Sequence, residues 1–272
     1  MTSQAEKCAR LAALHTGTET FVIPNPWDIG SAKLLQGLGF AALATTSAGF
    51  AYTLGRADGE VTLAEKLAHC AALAHATTIP VSADFENGFA DDPDDVATNV
   101  LALAATGVAG CSIEDYARDS HTLYPFEQAV ERVQAAAAAV ASLDVEFQLT
   151  ARAENLLRGV DDLDATIARL RAFEAAGAHV LYAPGLTTLA QLREVTGAVS
   201  RPVNVLAPLI RDATIDDFAR AGAKRISVGS ALAWAAVNPL LQGAGEMLEH
   251  GTFGWLREMA ASKTVNALLS AN

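Results

Sequence analysis

Short apolar runs rich in β-branched residues recur along this chain, and stretches with helical spacing separate them. The runs fall at 21–24, 41–46, 79–84, 108–114, 145–152, 179–183, 202–206 and 225–228. The helical patterns fall at 28–38, 62–76, 92–105, 125–141, 159–176, 189–195 and 214–221, after an amphipathic helix over 3–15. Strands that alternate with helices predict a parallel sheet, because parallel neighbours need a crossover and a helix supplies one. Eight such strands in 272 residues predict closure into an α/β fold, the (β/α)8 TIM barrel. An open doubly wound sheet would use fewer strands and a glycine-rich phosphate loop, and no G-x-G-x-x-G or Walker motif is present. Gly39, Gly107, Gly177 and Gly222 each close a helical pattern just before a strand, where the turn calls for a left-handed residue.

The chain reads as one barrel domain over 1–272, with 231–272 as a C-terminal helical segment. A barrel needs only one helix after its last strand. The surplus helix is expected to pack on a neighbouring subunit, or as a second helix on the same barrel.

Composition narrows the function. The net charge is −12 and no basic stripe exists, which argues against nucleic acid. No run approaches the ~20 apolar residues of a membrane span. The first residues lack the apolar core of a signal peptide. Cys8, Cys70 and Cys111 are widely spaced and odd in number, which predicts no disulfide framework, no zinc site and a reducing, cytoplasmic setting.

In a barrel of this kind chemistry sits at the C-terminal strand ends. There the sequence places Asp84 and Glu86 after the third run and Glu114 after the fourth, with Asp58 in the loop 55–60. If the third strand continued, Asp84 and Glu86 would point the same way. Like charges gathered at one mouth repel unless a cation holds them, and all these donors are oxygen. Magnesium fits best, with waters retained, and manganese is a plausible substitute. Arg152, at the end of the fifth strand, faces the acids and offers a planar fork for a substrate carboxylate; with Glu154 it also fits a structural ion pair. Thr46, Ser47 and Ala48 offer backbone amides to an anion. Asn204 and Trp27 stand at the ends of strands seven and one as further substrate contacts. Asp28, Asp115 and the acidic run 91–95 also fit helix caps or starts.

Taken in order, the segments 24–28, 45–47, 55–59, 82–89, 112–115, 150–154 and 225–229 resemble the isocitrate lyase/phosphoenolpyruvate mutase superfamily. The resemblance implies a (β/α)8 barrel, a magnesium ion, and a helix after the last strand swapped between paired subunits of a homodimer or homotetramer. It implies Asp84 as direct metal ligand, with Asp58, Glu86 and Glu114 holding the ion's waters. Arg152 would clamp the substrate, Thr46, Ser47 and Ala48 would line the carboxylate pocket, and Asp58, Glu114 and Arg152 would carry the catalytic roles. Two departures stand out. Glu86 replaces the usual second aspartate, and the loop 115–125 lacks the lysine- and cysteine-containing motif of the superfamily's carbon–carbon lyases, leaving Arg118, Ser120 and His121 as candidates.

The implied function is magnesium-dependent lyase chemistry on small 2-oxo or 2-hydroxy (di)carboxylic acids through an enolate, by C–C cleavage or oxaloacetate-type decarboxylation. The alternatives are P–C bond chemistry on phosphonopyruvate or phosphoenolpyruvate, and a 2-oxo acid binder with little catalysis. A Schiff-base aldolase would need a buried lysine at a strand end, and Lys7, Lys33, Lys66, Lys224 and Lys263 read as helical or at a strand entrance.

Overall fold

A computed structural model describes residues 2–270. The last two residues of the helical segment 231–272 therefore lie outside the described residues. The strands are β1 (Phe21–Ile23), β2 (Leu43–Ala44), β3 (Val81–Asp84), β4 (Gly110–Glu114), β5 (Tyr116–Ala117), β6 (Thr122–Leu123), β7 (Gln148–Arg152), β8 (Val180–Tyr182), β9 (Val203–Leu206) and β10 (Arg225–Ser227). All but β5 and β6 form one parallel eight-stranded sheet in the order β1-β10-β9-β8-β7-β4-β3-β2. Its two ends meet at a seam where the Ala44 N–H donates to the Pro24 carbonyl at 3.0 Å. Asn25 stitches that seam. Its Nδ2 donates to the Thr45 carbonyl at 3.1 Å, and its Oδ1 accepts from the Val228 and Gly229 amides. The expected (β/α)8 barrel is the observed one.

The covering helices are α2 (Ile29–Gly37), α4 (Leu63–Ala76), α5 (Pro93–Ala104), α6 (Phe126–Ala141), α7 (Leu163–Ala175), α8 (Leu189–Ala198) and α9 (Ile215–Arg220). Their starts follow local chemistry. Asp28, Thr62, Thr188 and Thr214 build capping boxes, and Asp92 caps α5 ahead of Pro93. The glycines that close the helical patterns sit at positive φ: Gly39 at 96°, Gly107 at 93°, Gly177 at 102° and Gly222 at 87°. α1 (Gln4–Thr16) plugs the N-terminal end, where Cys8 and Leu11 pack on Ile23, Ala42 and Ala109. The main core lies between sheet and helices, with Phe85, Phe147, Phe173 and Leu149 fully buried. Each such side chain contributes about 1.5–3 kcal/mol.

The structure departs from the expected elements in three places. The second strand is only Leu43–Ala44, because Thr46 caps an unforeseen short helix, α3 (Ser47–Thr53). A two-stranded hairpin, β5–β6, forms in the loop after β4. The C-terminal segment, expected only as helical, divides into α10 (Ala231–His250), which contains Pro239, and a shorter helix after it. Proline forfeits the bond to the residue four positions back, but Ala235 is exposed, so its carbonyl is not stranded. α11 (Ser262–Ser270) then returns to α2 of the same chain, where a Cβ at Gly37 would meet the Leu268 carbonyl oxygen at 2.5 Å.

Candidate active site at the barrel mouth

Register carries the site's residues around the barrel. Glu114 pairs with Arg152, Arg152 with Tyr182, Tyr182 with Asn204, and Asn204 with Arg225. Strands of a closed barrel tilt against its axis, so such a row descends. Glu114, Arg152 and Tyr182 are the last residues of their strands, whereas Arg225 is the first of β10.

Arg152 is the hub of the mouth. Its Nη1 donates to Asp84 Oδ1 at 2.9 Å, and its Nη2 stands 3.1 Å from Glu114 Oε2 and 2.8 Å from Glu154 Oε1. Burial by itself would ease its proton off, but Glu154, Glu114 and Asp84 outweigh burial and hold the guanidinium firmly charged. Arg152 thus pairs with Glu154, as the ion-pair reading has it, and it faces Asp84 and Glu114 as well.

Asp84 is anchored from three sides. Its Oδ2 accepts from the Ser47 amide at 3.0 Å, its own amide donates to Thr45 Oγ1 at 2.9 Å, and Lys66 Nζ approaches Thr45 Oγ1 from behind at 3.5 Å. Burial pushes its pKa up, yet Arg152, Lys66 and the Ser47 amide prevail and hold it below the usual carboxylate range. Asp84 is therefore an anion. Glu114 behaves oppositely: burial, aided by Glu154 and Asp84, raises it well above the usual range despite Arg152.

Glu86 does not extend β3. The strand stops at Asp84, and Glu86 sits at φ 48° inside a turn, so alternation does not align the two acids. Its Oε2 lies 3.1 Å from Arg118 Nε, and its buried Oε1 has no partner. Burial raises its pKa to about 7, against the pull of Lys66 and Arg118. Arg118 also donates to the Gly59 and Val61 carbonyls, tying the hairpin to the loop that carries Asp58.

The sequence-selected acids divide between two spaces. An inner cavity of about 260 Å³ is walled by Asp84, Thr46, Ala48, Asn204 and Arg225. An outer vestibule of about 740 Å³ is walled by Glu86, Glu114, Arg118 and His121. Asp58, Ser47 and Arg152 border both, and Asp58 is exposed. Trp27 does not line either space. It borders a neighbouring cleft with Phe50 and His69, and its carbonyl bonds His69 Nε2 at 3.0 Å. The expected amide cradle at 46–48 is partly spent, since the Ser47 N–H serves Asp84 and Thr46 Oγ1 caps α3 through Gly49. The Ala48 amide belongs to the first turn of α3, where the helix has no acceptor of its own. Asp115 is neither helix cap nor ligand. It accepts from the Glu154 amide at 2.8 Å and from Arg169 at 2.9 Å.

Among the described residues, no three carboxylate, imidazole or thiol groups converge into a closed metal cage. A small hard ion that keeps most of its water needs only one or two direct carboxylates. The ionised Asp84 on the cavity wall and the unpartnered Oε1 of Glu86 match that requirement, and the donor set is all oxygen.

Three contributors escaped the sequence reading. Lys66 is fully buried on α4, and Arg132 is almost fully buried on α6. Arg132 donates to the Asn87, Ala90 and Glu114 carbonyls, which fixes the turn carrying Glu86 and the end of β4. Arg225 is buried on the cavity wall. The available signal was a cation inside an apolar stripe: Lys66 falls in step with Cys70 and Leu73, and Arg132 with Ala129 and Ala136.

The sequence and the fold have relatives among known proteins. Residues 11–248 match the family model described as phosphoenolpyruvate phosphomutase. An uncharacterized protein of Mycobacterium tuberculosis (strain ATCC 25618 / H37Rv) is 34% identical over 221 residues, 80% of each chain. The oxaloacetate decarboxylase of Ectopseudomonas mendocina (strain ymp) is 28% identical over 246 residues, 86% of this chain and 82% of that one. Among solved structures, a Burkholderia cenocepacia J2315 protein provisionally described as a lyase/mutase superposes with a TM-score of 0.94 at 46% identity, covering 98% of this chain and 97% of that one.

Proposed function

Since the chain belongs to the phosphoenolpyruvate phosphomutase family of the isocitrate lyase/phosphoenolpyruvate mutase superfamily, we propose that it is a magnesium-dependent lyase or decarboxylase for small 2-oxo or 2-hydroxy (di)carboxylic acids. The observation that carries this reading is the anionic Asp84 beside Arg152 on the wall of a cavity sized for a small acid.

In this reading Asp84 would hold the ion, and Asp58, Glu86 and Glu114 would be the further acids available to its waters. When bound, magnesium supplies a Lewis acid for the oxygen on which enolate charge develops. Arg152 and the Ala48 amide orient the substrate carboxylate and add fixed positive potential beside that charge. Arg152 can do so only by sharing its fork with Asp84, Glu114 and Glu154, so it acts as a positioned charge. Ser47 serves by aiming Asp84. Glu86, with a pKa of about 7, is the mouth group best able to hold or release a proton at neutral pH. The hairpin pinned by Arg118 narrows the vestibule and limits water at the reacting carbon.

Oxaloacetate decarboxylation makes the least demand, because no loop acid is needed to complete it. The test is turnover of a panel of 2-oxo acids and 2-alkylmalates with magnesium, repeated after chelation. Product formation above the metal-only background supports the reading; none on any substrate overturns it. P–C bond chemistry on phosphonopyruvate is the second reading, favoured by the family model that matches; conversion of that substrate to phosphoenolpyruvate tests a mutase, and phosphate release with pyruvate formation tests a hydrolase. We also propose that the chain pairs into a homodimer or homotetramer through α10, which exposes Trp234, Leu240, Leu241 and Leu248.

A further inference from the structure

The inner cavity contains a cation that the mouth chemistry does not use. Arg225 opens β10 at the lower end of the descending row and is 4% exposed. Its Nε donates to Asn204 Oδ1 at 2.8 Å, and Asn204 Nδ2 donates in turn to Ser227 Oγ at 2.9 Å. That chain fixes the guanidinium's orientation and occupies its Nε–H. Its Nη1 is buried without any partner, and among the described residues no carboxylate lies within 4.0 Å of it. Arg225, Asn204 and Ser227 all line the inner cavity, which also holds Asp84 and Arg152.

A buried, unpaired charge is costly, and a protein normally offsets it with a counter-ion or hydrogen bonds. Arg152 shows how this barrel does so, with three carboxylates around one guanidinium. Arg225 has none. Burial accordingly lowers its pKa to about 10, with Tyr182 opposing and Arg152 adding to the fall.

We propose that Arg225, held by Asn204 and Ser227, is a second anion subsite at the floor of the cavity and receives the remote carboxylate of a dicarboxylic substrate. This rests on the reading of the mouth as the site for the substrate's 2-oxo acid end. The Nη1–Nη2 edge, which Asn204 leaves without a partner, suits the two oxygens of a carboxylate. The two ends of the substrate are then sorted by environment. The 2-oxo acid end goes to the acid-rich mouth, where a divalent ion screens it, and the simple carboxylate goes to the uncompensated arginine below. The subsite thus selects dicarboxylates over pyruvate-like monocarboxylates.

The test is calorimetry of the full chain at saturating magnesium with oxalate, pyruvate, malate, 2-oxoglutarate and 2-oxoadipate. In the wild type the best of malate, 2-oxoglutarate and 2-oxoadipate is expected to bind at least tenfold more tightly than pyruvate. Arg225→Gln should abolish that gap and leave oxalate within twofold; Arg225→Lys should restore part of it. A wild type with no gap, or a gap that survives Arg225→Gln, overturns the proposal. If neither oxalate nor pyruvate binds, the reading of the mouth has failed, and the floor is then judged by glutarate with no metal added. Protection of the wild type against thermal unfolding, lost in Arg225→Gln, supports the subsite, and no protection overturns it. Removing an unpaired buried charge should leave the ligand-free variant melting no lower than the wild type. A variant that melts many degrees lower marks Arg225 as structural and overturns the proposal.

Discussion

Two arcs of the same barrel solve the problem of buried polarity differently. On the arc of β3, β4 and β7, carboxylates and guanidiniums interlock: Asp84, Glu114 and Glu154 around Arg152, with Glu86 against Arg118. On the arc of β1, β9 and β10, amides and hydroxyls do the work: Asn25 bonds three backbone groups at the seam, and Asn204 links Arg225 to Ser227. The first arc gathers acids around its guanidiniums, and its all-oxygen donor set suits a divalent cation. The second carries one uncompensated positive charge and suits an anion. Polarity across one cavity can therefore orient a substrate that has two unlike ends, even though the chain as a whole carries a net charge of −12.

The contrast breaks most readily at Asp84. Asp84→Asn keeps the shape but removes the anionic acid beside Arg152 on the cavity wall, and kcat/KM on the active 2-oxo acid should fall by on the order of 10³. An unchanged rate would move the metal away from this arc. Next is Glu154, whose carboxylate is fully buried. Glu154→Gln leaves Arg152 short of a counter-charge and should cost about 3 kcal/mol in urea unfolding, whereas Asn25→Ala on the other arc should cost about 1–2. Equal losses would erase the difference between the arcs.

Protons sharpen the comparison further. Burial, with help from Arg225, lowers His15 to about 3, so the imidazole is neutral in the fold. The unfolded chain takes up its proton near pH 6.5, so the stability His15 confers is complete above that value and drains as pH falls toward 3. Glu86, raised to about 7, titrates in the opposite sense, since the form disfavoured in the fold is the deprotonated one and the stability is lost as pH rises toward 7. The His15 share is therefore read as the difference between the wild type and His15→Phe. That difference should change by about 2 kcal/mol from pH 7 to pH 5. The smallest effect is expected at Arg118→Gln, which loosens the hairpin's ties to Glu86, Gly59 and Val61. It should cost about 1 kcal/mol of stability while raising hydrogen exchange at 116–123.

Much of the scaffold was legible because it is local. Alternating strands and helices, the capping residues Asp28, Thr62 and Thr214, and the left-handed Gly39 and Gly222 each follow from a few neighbouring residues. Asp84, Glu114 and Arg152 were also legible, because a barrel collects its strand ends on one face. Glu86 was legible as a mouth residue but not in its route there, since the left-handed turn after Asp84 overrides strand alternation. Trp27 stood at the right strand end, yet the chain turns it toward Phe50 and His69.

The sequence by itself determined the order of elements, the parallel barrel and the set of acids at its mouth, because those depend on periodicity and on residues close in the chain. Only the tertiary structure decided which charges meet. Arg152 chooses among three carboxylates, Lys66 comes to lie behind Asp84, and Arg225 is left alone on the cavity wall, all through contacts between residues far apart in sequence. Electrostatic energy depends on separation in space and on burial, and neither is written in the local pattern of the chain.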